Sequence, residues 1–183
     1  MMLGYFDVFP EKCETEIRTA HFSADASLPF PHGTYVFAEF YCVDLSCDCQ
    51  RLLVKALYVK TPQSKPKEVA TFSYSWNDAP DDSWANIIGE TTNPFLDPLH
   101  RQAAYADELM GFWYDMLCRD HEYAERLRKH YAELRRERGQ SAPPSIWDEE
   151  PAKIVAIDLG EKKRRHRALR EHLKKRRSSR RQK

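Results

Sequence analysis

Residues 34–49, with the sequence TYVFAEFYCVDLSCDC, join the clearest strand of the chain to a cluster of three cysteines. Side chains alternate along a strand, so the odd positions from Tyr35 to Tyr41 share one face. These positions hold three aromatic side chains and one glutamate. The strand therefore has a largely aromatic face, and its last residue, Cys42, is also the first cysteine of the cluster.

Three further segments have the composition of strands. Residues 15–22, 51–60 and 68–76 are rich in β-branched, aromatic or alternating apolar side chains, and loops with Pro or Gly separate them from their neighbours. Segment 51–60 could pair back against 34–42, which would place the cysteines at the tip of a hairpin. Strands so closely spaced usually form an antiparallel meander.

Helical signals begin at Asp97-Pro98, which matches an N-cap followed by proline at the first helical position. The first predicted helix extends from there to about residue 118, with apolar residues at helical spacing. Asp120 is a plausible cap for a second helix, which the αL-tolerant Gly139 would end. One stripe of this second helix is formed by Tyr123, Leu127, His130 and Leu134.

The pattern predicts an α+β fold, in which a helical hairpin packs on one face of an antiparallel β-meander. Residues 1–139 would form this domain. Residues 140–160 form a proline-containing linker, within which 153–159 is a candidate edge strand. Residues 161–183 form a basic C-terminal tail.

Charge is distributed unevenly along the chain. The tail, residues 161–183, carries 13 Lys or Arg and 2 Glu, whereas residues 1–160 carry 16 basic and 26 acidic side chains. An acidic body with a basic tail indicates a polyanionic partner, or a tail that folds back on its own body. The alternative is a solvated tail without a fixed partner. The candidate nucleic-acid-binding residues are Lys162, Lys163, Arg164, Arg165, Arg167, Lys174, Lys175, Arg176 and Arg177.

The cluster Cys42, Cys47 and Cys49 predicts a zinc site. Thiolates are soft ligands that suit Zn²⁺, and three on one loop can occupy three corners of a tetrahedron. A catalytic cysteine would instead be a lone activated thiol with a partner base. The alternative is three reduced thiols without a ligand role.

The fourth zinc ligand is not defined by spacing. His130 is one candidate, since it lies on the apolar stripe of the second helix and a neutral imidazole could reach the hairpin tip. General burial habits favour the alternative, a core histidine bonded to a backbone carbonyl. The other candidates are His32, Cys13, Asp44 and Asp48, and Cys118 could be an ordinary apolar helix residue.

A cytoplasmic setting is expected. The N-terminal residues lack the basic region of a signal peptide, and no apolar run approaches the length that spans a membrane. In a reducing cytosol, a compact cysteine cluster more often binds metal than forms disulfides.

Three functions remain open from the residues alone. The first is a non-enzymatic, zinc-stabilised binding module whose basic tail contacts RNA, a ribonucleoprotein or another acidic surface. The second is a metal-dependent hydrolase or nuclease acting on nucleic acid. The third is a protein-interaction adaptor whose tail is incidental. The chain has neither a glycine-rich phosphate loop nor an HExxH motif, so the sequence favours the non-enzymatic function. The oligomeric state is not predicted.

Three motifs together resemble a group of small uncharacterised bacterial proteins. They are the strand and cysteine segment from Tyr35 to Cys49, the segment NPFLDP at 93–98, and ERLRKHY at 125–131. Several proteins of this group end in a SEC-C zinc knuckle, which is absent here because no cysteine follows Cys118. The resemblance implies a zinc-associated cytoplasmic module and carries over no activity or catalytic residue.

Overall fold

The computed structural model describes residues 2–24, 27–44, 47, 49–76 and 92–139. The predicted linker, its candidate edge strand and the basic tail, residues 140–183, lie outside the described residues. Among the helices that are described, none is both long enough and apolar enough to cross a membrane.

The domain is built around a β-sheet whose strands differ in length. Every strand pairing in it is antiparallel. The strands are β1 (Met2–Gly4), β2 (Arg18–Phe22), β3 (Gly33–Cys42), β4 (Arg51–Val59), β5 (Lys67–Ser75) and β6 (Phe95–Leu96). Their order is β1-β3-β4-β5-β6, and β2 pairs with the same strand β3 as β1 does. With the helices described below, this sheet confirms the predicted α+β class.

One face of the sheet is buried, as the alternation in residues 34–42 predicts. Tyr35, Phe37 and Tyr41 are fully buried, and Glu39 between them is 1% exposed. Register places Glu39 opposite Val54, and Val54 opposite Phe72, so these three side chains share the buried face. A carboxylate thus lies in the middle of an aromatic and aliphatic core.

Glycine is required where β3 begins. Gly33 has a φ of +139°, and a Cβ there would lie 2.7 Å from Cε2 of Tyr58 and 3.0 Å from the carbonyl oxygen of Val59. Both the backbone conformation and the close approach of β4 therefore exclude a larger side chain at this position.

Two long helices follow the sheet, α3 (Ala106–Arg119) and α4 (His121–Glu137). Asp120 caps α4 as predicted, since its carboxylate accepts a 2.9 Å hydrogen bond from the backbone N–H of Tyr123. Gly139 follows the end of α4 with a φ of +68°, which agrees with the predicted stop.

The predicted start of the first helix at Asp97 is wrong. Asp97 instead closes a turn, with its carboxylate 2.8 Å from the backbone nitrogen of Leu99. Backbone hydrogen bonds from Asp97 and Ala103 to the carbonyl oxygens of Thr71 and Val69 hold this segment along β5. These tertiary bonds override the local capping signal, so α3 begins only at Ala106.

Both helices contact the buried face of the sheet. The ring of Trp113 in α3 lies 5.0 Å from that of Phe72, and the ring of Tyr131 in α4 lies 6.0 Å from that of Tyr41. Trp113 also donates a 3.0 Å hydrogen bond from Nε1 to the hydroxyl of Tyr123, which joins the two helices. The arrangement of α3 and α4 as a hairpin stays a prediction.

The N-terminal segment has structure that the sequence did not reveal. After β1 come the short helix α1 (Tyr5–Val8), a 3₁₀ turn (Pro10–Lys12) and the short helix α2 (Cys13–Glu16). The predicted strand over 15–22 therefore starts later, at Arg18. Helices of four residues have no stability of their own, and side-chain contacts with the core hold these turns in place.

Candidate metal centre

The cysteine cluster lies at one end of the β3–β4 pair. Cys42 is the last residue of β3, and Cys49 lies two residues before β4 begins. The Sγ atoms of Cys42, Cys47 and Cys49 all lie within 4.8 Å of one another, so they form a group that could hold a metal ion. Sulfurs at two corners of a zinc tetrahedron are about 3.8 Å apart, given a Zn–S bond of about 2.3 Å. All five cysteines of the chain are free thiols.

The three sulfurs differ in exposure and in acidity. Cys42 is buried, whereas Cys47 and Cys49 are half-buried. Hydrogen bonds from the Cys49 thiol, the backbone N–H of Asp44 and the Cys47 thiol lower the pKa of Cys42 to about 5. The pKa of Cys49 is raised, because its thiol donates a hydrogen bond to Cys42 and its partial burial disfavours the charged form. The cluster therefore already favours one thiolate, which is the form that binds metal.

A buried arginine of α4 supports the cysteine loop. Arg135 is 5% exposed, and its Nη1 donates hydrogen bonds to the carbonyl oxygens of Cys47 at 2.9 Å and Asp44 at 3.3 Å. These contacts connect the last turns of a core helix with the backbone between the first two cysteines. The loop is thereby positioned by the domain rather than by its own sequence alone.

A second buried arginine, Arg51 at the start of β4, lies close to the same sulfurs. Its Nη1 donates a 2.6 Å hydrogen bond to Oγ of Ser73, and its guanidinium lies 5.3 Å from the ring centre of Phe95. Burial lowers the pKa of Arg51, and the negative charge of the cysteines, Cys49 first, acts in the opposite direction. Arg51 and Arg135 thus supply positive charge where thiolates would accumulate negative charge.

The backbone beside Cys49 adopts an uncommon conformation. Gln50 has a φ of 44° although it is not glycine, and its side chain is 5% exposed. Residues held in this region cost on the order of 1–3 kcal/mol unless their surroundings stabilise them. Such strain beside a ligand cluster is typical of functional loops.

His130 lies away from the cysteine group, in a buried polar cluster of its own. Its Nδ1 lies 2.7 Å from Oε2 of Glu39, and its Nε2 lies 2.7 Å from Oε2 of Glu16. Because each ring nitrogen is engaged by a carboxylate, neither has a lone pair directed to a metal ion. The three-cysteine group does not include His130, so the described residues give no support to the sequence prediction of a His130 ligand. The other predicted role, a core histidine, is correct in location, but its partners are carboxylates rather than a backbone carbonyl.

The N-terminal turns complete the surroundings of His130. The ring of Tyr5 stacks on the imidazole at 3.7 Å with an angle of 9° between the planes. Tyr5 donates a 2.6 Å hydrogen bond to Glu133, which also accepts 2.6 and 2.7 Å hydrogen bonds from Lys12. These contacts explain why short helical turns form at this end of the chain.

The other sequence candidates for a fourth ligand are scattered. Cys13 lies in α2, and His32 precedes β3, where its carbonyl oxygen accepts a hydrogen bond from Tyr58. Neither belongs to the three-cysteine group, and nor does Cys118 in α3, for which an apolar helix position was the sequence interpretation. Asp44 contributes its backbone to the loop, as described above, and Asp48 lies outside the described residues. The supporting residues Arg51 and Arg135 were missed, because a buried arginine has no distinguishing pattern in a chain that is 31% charged.

Comparison with family models, with curated proteins and with solved structures finds no match to this chain. The resemblance to small bacterial proteins with SEC-C knuckles therefore stays a prediction.

Proposed function

We propose that this protein is a zinc-stabilised binding module, and that its basic tail contacts RNA, a ribonucleoprotein or another acidic surface. The observation that supports the zinc part is the convergence of three cysteine sulfurs within 4.8 Å at the end of one strand pair. The ion would hold the β3–β4 connection in place, and this would fix the register of the two strands.

Zinc is the ion that this donor set favours. Thiolate ligands select Zn²⁺, Cu(I) and iron–sulfur clusters over hard cations such as Mg²⁺ or Ca²⁺. Zn²⁺ has no redox chemistry and therefore requires no redox partner. The site lies at a structural junction, since its ligands flank two central strands, and this favours a stabilising role.

The proposal for the tail rests on its charge. Residues 161–183 carry 13 basic and 2 acidic side chains. Lysine and arginine neutralise phosphates and release counterions, which gives salt-sensitive binding without strong sequence preference. RNA in a ribonucleoprotein offers such a phosphate surface. The predicted cytoplasmic location is part of this proposal.

Metal analysis of the purified full chain tests the zinc proposal. We expect about one zinc per chain, loss of the ion from a Cys47→Ser variant, and retention in Cys118→Ser, since Cys118 lies outside the cluster. A strong chelator should lower the unfolding temperature of the wild type and leave Cys47→Ser unchanged. Wild-type protein without zinc, or with a chelator-independent unfolding temperature, would contradict the proposal.

The tail is tested separately by binding of single-stranded RNA over a salt series. In one variant Lys162, Lys163, Arg164 and Arg165 are replaced by alanine, and in the control the exposed Lys60, Lys65 and Lys67 are replaced. The tail variant should bind more weakly and with a shallower salt dependence, and the control should bind like the wild type. Equal binding by all three proteins would refute an RNA-binding tail.

The alternative of a metal-dependent hydrolase or nuclease stays a prediction of the sequence. An activity that disappears with the metal while the fold survives would support it.

A further inference from the structure

Three buried polar atoms around the cysteine loop have no hydrogen-bond partner among the described residues. They are the hydroxyl of Tyr131, Nε of Arg135 and Oε1 of Gln50. The three residues are 4%, 5% and 5% exposed, so water does not freely reach them. A buried polar atom without a partner costs about 1–3 kcal/mol. The two donors among them, the hydroxyl of Tyr131 and Nε of Arg135, indicate a missing acceptor beside the loop.

These atoms belong to the surroundings of the sulfurs. Arg135 donates to the carbonyl oxygen of Cys47, and Gln50 follows Cys49 directly. The guanidinium of Arg135 lies 5.7 Å from the ring centre of Tyr131. Burial raises the pKa of Tyr131 to about 12, the charge of Arg135 lowers it, and the three cysteines raise it further. Tyr131 therefore packs against the arginine that holds the cysteine loop.

The three cysteines leave one coordination position of a four-coordinate zinc ion without a protein ligand. Zn²⁺ in proteins is four-coordinate, and a site with three protein ligands takes its fourth from solvent or substrate. In the parts of the chain that the structure describes, the group of candidate ligand atoms within 4.8 Å of one another consists of three cysteines and no fourth side chain. Two of the three cysteines are half-buried, which leaves a path for an external ligand.

The charge of the surroundings indicates the class of that ligand. Three thiolates and one Zn²⁺ carry a net charge of −1, and the buried guanidinium groups of Arg51 and Arg135 lie beside them. The hydroxyl of Tyr131 and Nε of Arg135 are both hydrogen-bond donors. The Asp97 carboxylate also acts on Arg51. Two buried guanidinium groups and two donors without partners in the described part of the chain nevertheless favour an anion over a second cation at this position.

We propose, on the basis of the zinc site proposed above, that its fourth coordination position is exchangeable and binds a small external anion that accepts a hydrogen bond from the hydroxyl of Tyr131. Arg135 stabilises the same anion while its Nη1 holds the cysteine loop. The ion then has two roles, since it stabilises the cysteine loop and also binds the external anion.

Cobalt substitution tests the exchangeable position. Co²⁺ replaces zinc in thiolate sites, and its visible absorption reports the coordination sphere. Azide, a monovalent anion that ligates Co²⁺, is titrated into the full-length cobalt protein. We expect saturable changes in the cobalt bands, with all three cysteines still bound.

Tyr131→Phe tests the proposed donor. This variant keeps the ring and removes only the hydroxyl, so cobalt should bind with wild-type affinity while the dissociation constant for azide rises about tenfold, the usual effect of one hydrogen bond to a charged group. Tyr58→Phe is the matched control, because the hydroxyl of Tyr58 donates to the carbonyl oxygen of His32 at the other end of β4. This control should leave azide affinity unchanged.

The outcomes separate this inference from the proposal on which it rests. Cobalt that binds but gives bands insensitive to azide means a closed site, with a fourth ligand from the protein, and overturns the inference while the zinc module stands. Azide affinity that is equal in Tyr131→Phe and the wild type overturns the role of Tyr131. Failure to bind cobalt or zinc at all refutes both proposals.

Discussion

Arg135 donates a 2.9 Å hydrogen bond from Nη1 to the carbonyl oxygen of Cys47, and so joins the last turns of α4 to the middle of the cysteine loop. The same Nη1 lies 3.3 Å from the carbonyl oxygen of Asp44. A core helix therefore holds the backbone on which the sulfurs converge. The geometry of the candidate metal site therefore depends on contacts with α4 as well as on the cysteine loop itself.

Arg135→Met tests this connection. Methionine keeps the apolar stem and removes the hydrogen bonds, so zinc affinity should fall about tenfold, as is usual when a residue that orients metal ligands is lost. The free energy of unfolding should fall by about 1–3 kcal/mol. Competition with a chromophoric chelator measures the affinity. Arg136→Met, an exposed change one residue further along α4, is the control, and equal affinities in both variants would contradict the role of Arg135.

His130→Gln separates core stability from metal binding. The change removes the imidazole between Glu39 and Glu16 and takes a hydrogen-bond partner from the 1%-exposed Glu39 carboxylate. A buried polar group that loses its partner costs about 1–3 kcal/mol, so the denaturant midpoint should fall. Zinc content should remain one per chain.

The control for His130 is Glu125→Gln, an exposed change in the same helix, which should alter stability by less than about 0.5 kcal/mol. A His130→Gln protein of normal stability that has lost its zinc would identify His130 as a ligand after all.

Asp120→Asn tests a pH effect at the cap of α4. Asn is as good an N-cap as Asp, so the change removes only the charge. The pKa of Asp120 is lowered by the backbone N–H of Tyr123 and by Arg18, whose Nη2 lies 2.8 Å from Oδ2. A lowered pKa contributes stability that is complete above the unfolded value, about 3.9, and is lost as the pH falls below it.

The stability difference between the wild type and Asp120→Asn should thus be constant from about pH 5 to 7 and shrink below about pH 4. Urea unfolding at each pH measures it. A stability difference that grows as the pH falls would contradict a lowered pKa of Asp120.

Replacement of glycine by alanine should have opposite effects on stability at two positions. Gly33→Ala should lower the free energy of unfolding by more than about 1 kcal/mol, because φ is +139° and Tyr58 lies 2.7 Å from the new Cβ. Gly111→Ala lies inside α3 with nothing within 4 Å of the new Cβ, and should raise it by about 1 kcal/mol. Thermal unfolding distinguishes them, and a Gly33→Ala protein as stable as the wild type would mean that β3 does not begin as described.

Local patterns were sufficient to predict the elements that depend on them. The strict alternation from Tyr35 to Tyr41 predicted β3 and its buried face, and the cap at Asp120 predicted the start of α4. The close spacing of Cys42, Cys47 and Cys49 predicted that their sulfurs would meet. In each case neighbours in sequence determine the geometry.

The features that were missed depend on residues distant in sequence. Asp97 has the signature of a helix cap, but backbone bonds to β5 hold it in a turn. The N-terminal turns exist because Tyr5 and Lys12 meet Glu133, more than 120 residues away in the chain. Likewise, only the folded domain shows that His130 faces carboxylates and that Arg135 faces the cysteine loop.

X-ray absorption at the zinc edge of the full-length protein shows whether the three cysteines bind the metal. We expect three sulfur neighbours at about 2.3 Å from one zinc ion, with the sulfur count reduced in Cys47→Ser. A coordination shell made only of oxygen and nitrogen, or a sulfur count unaffected by Cys47→Ser, would show that these cysteines do not bind the metal.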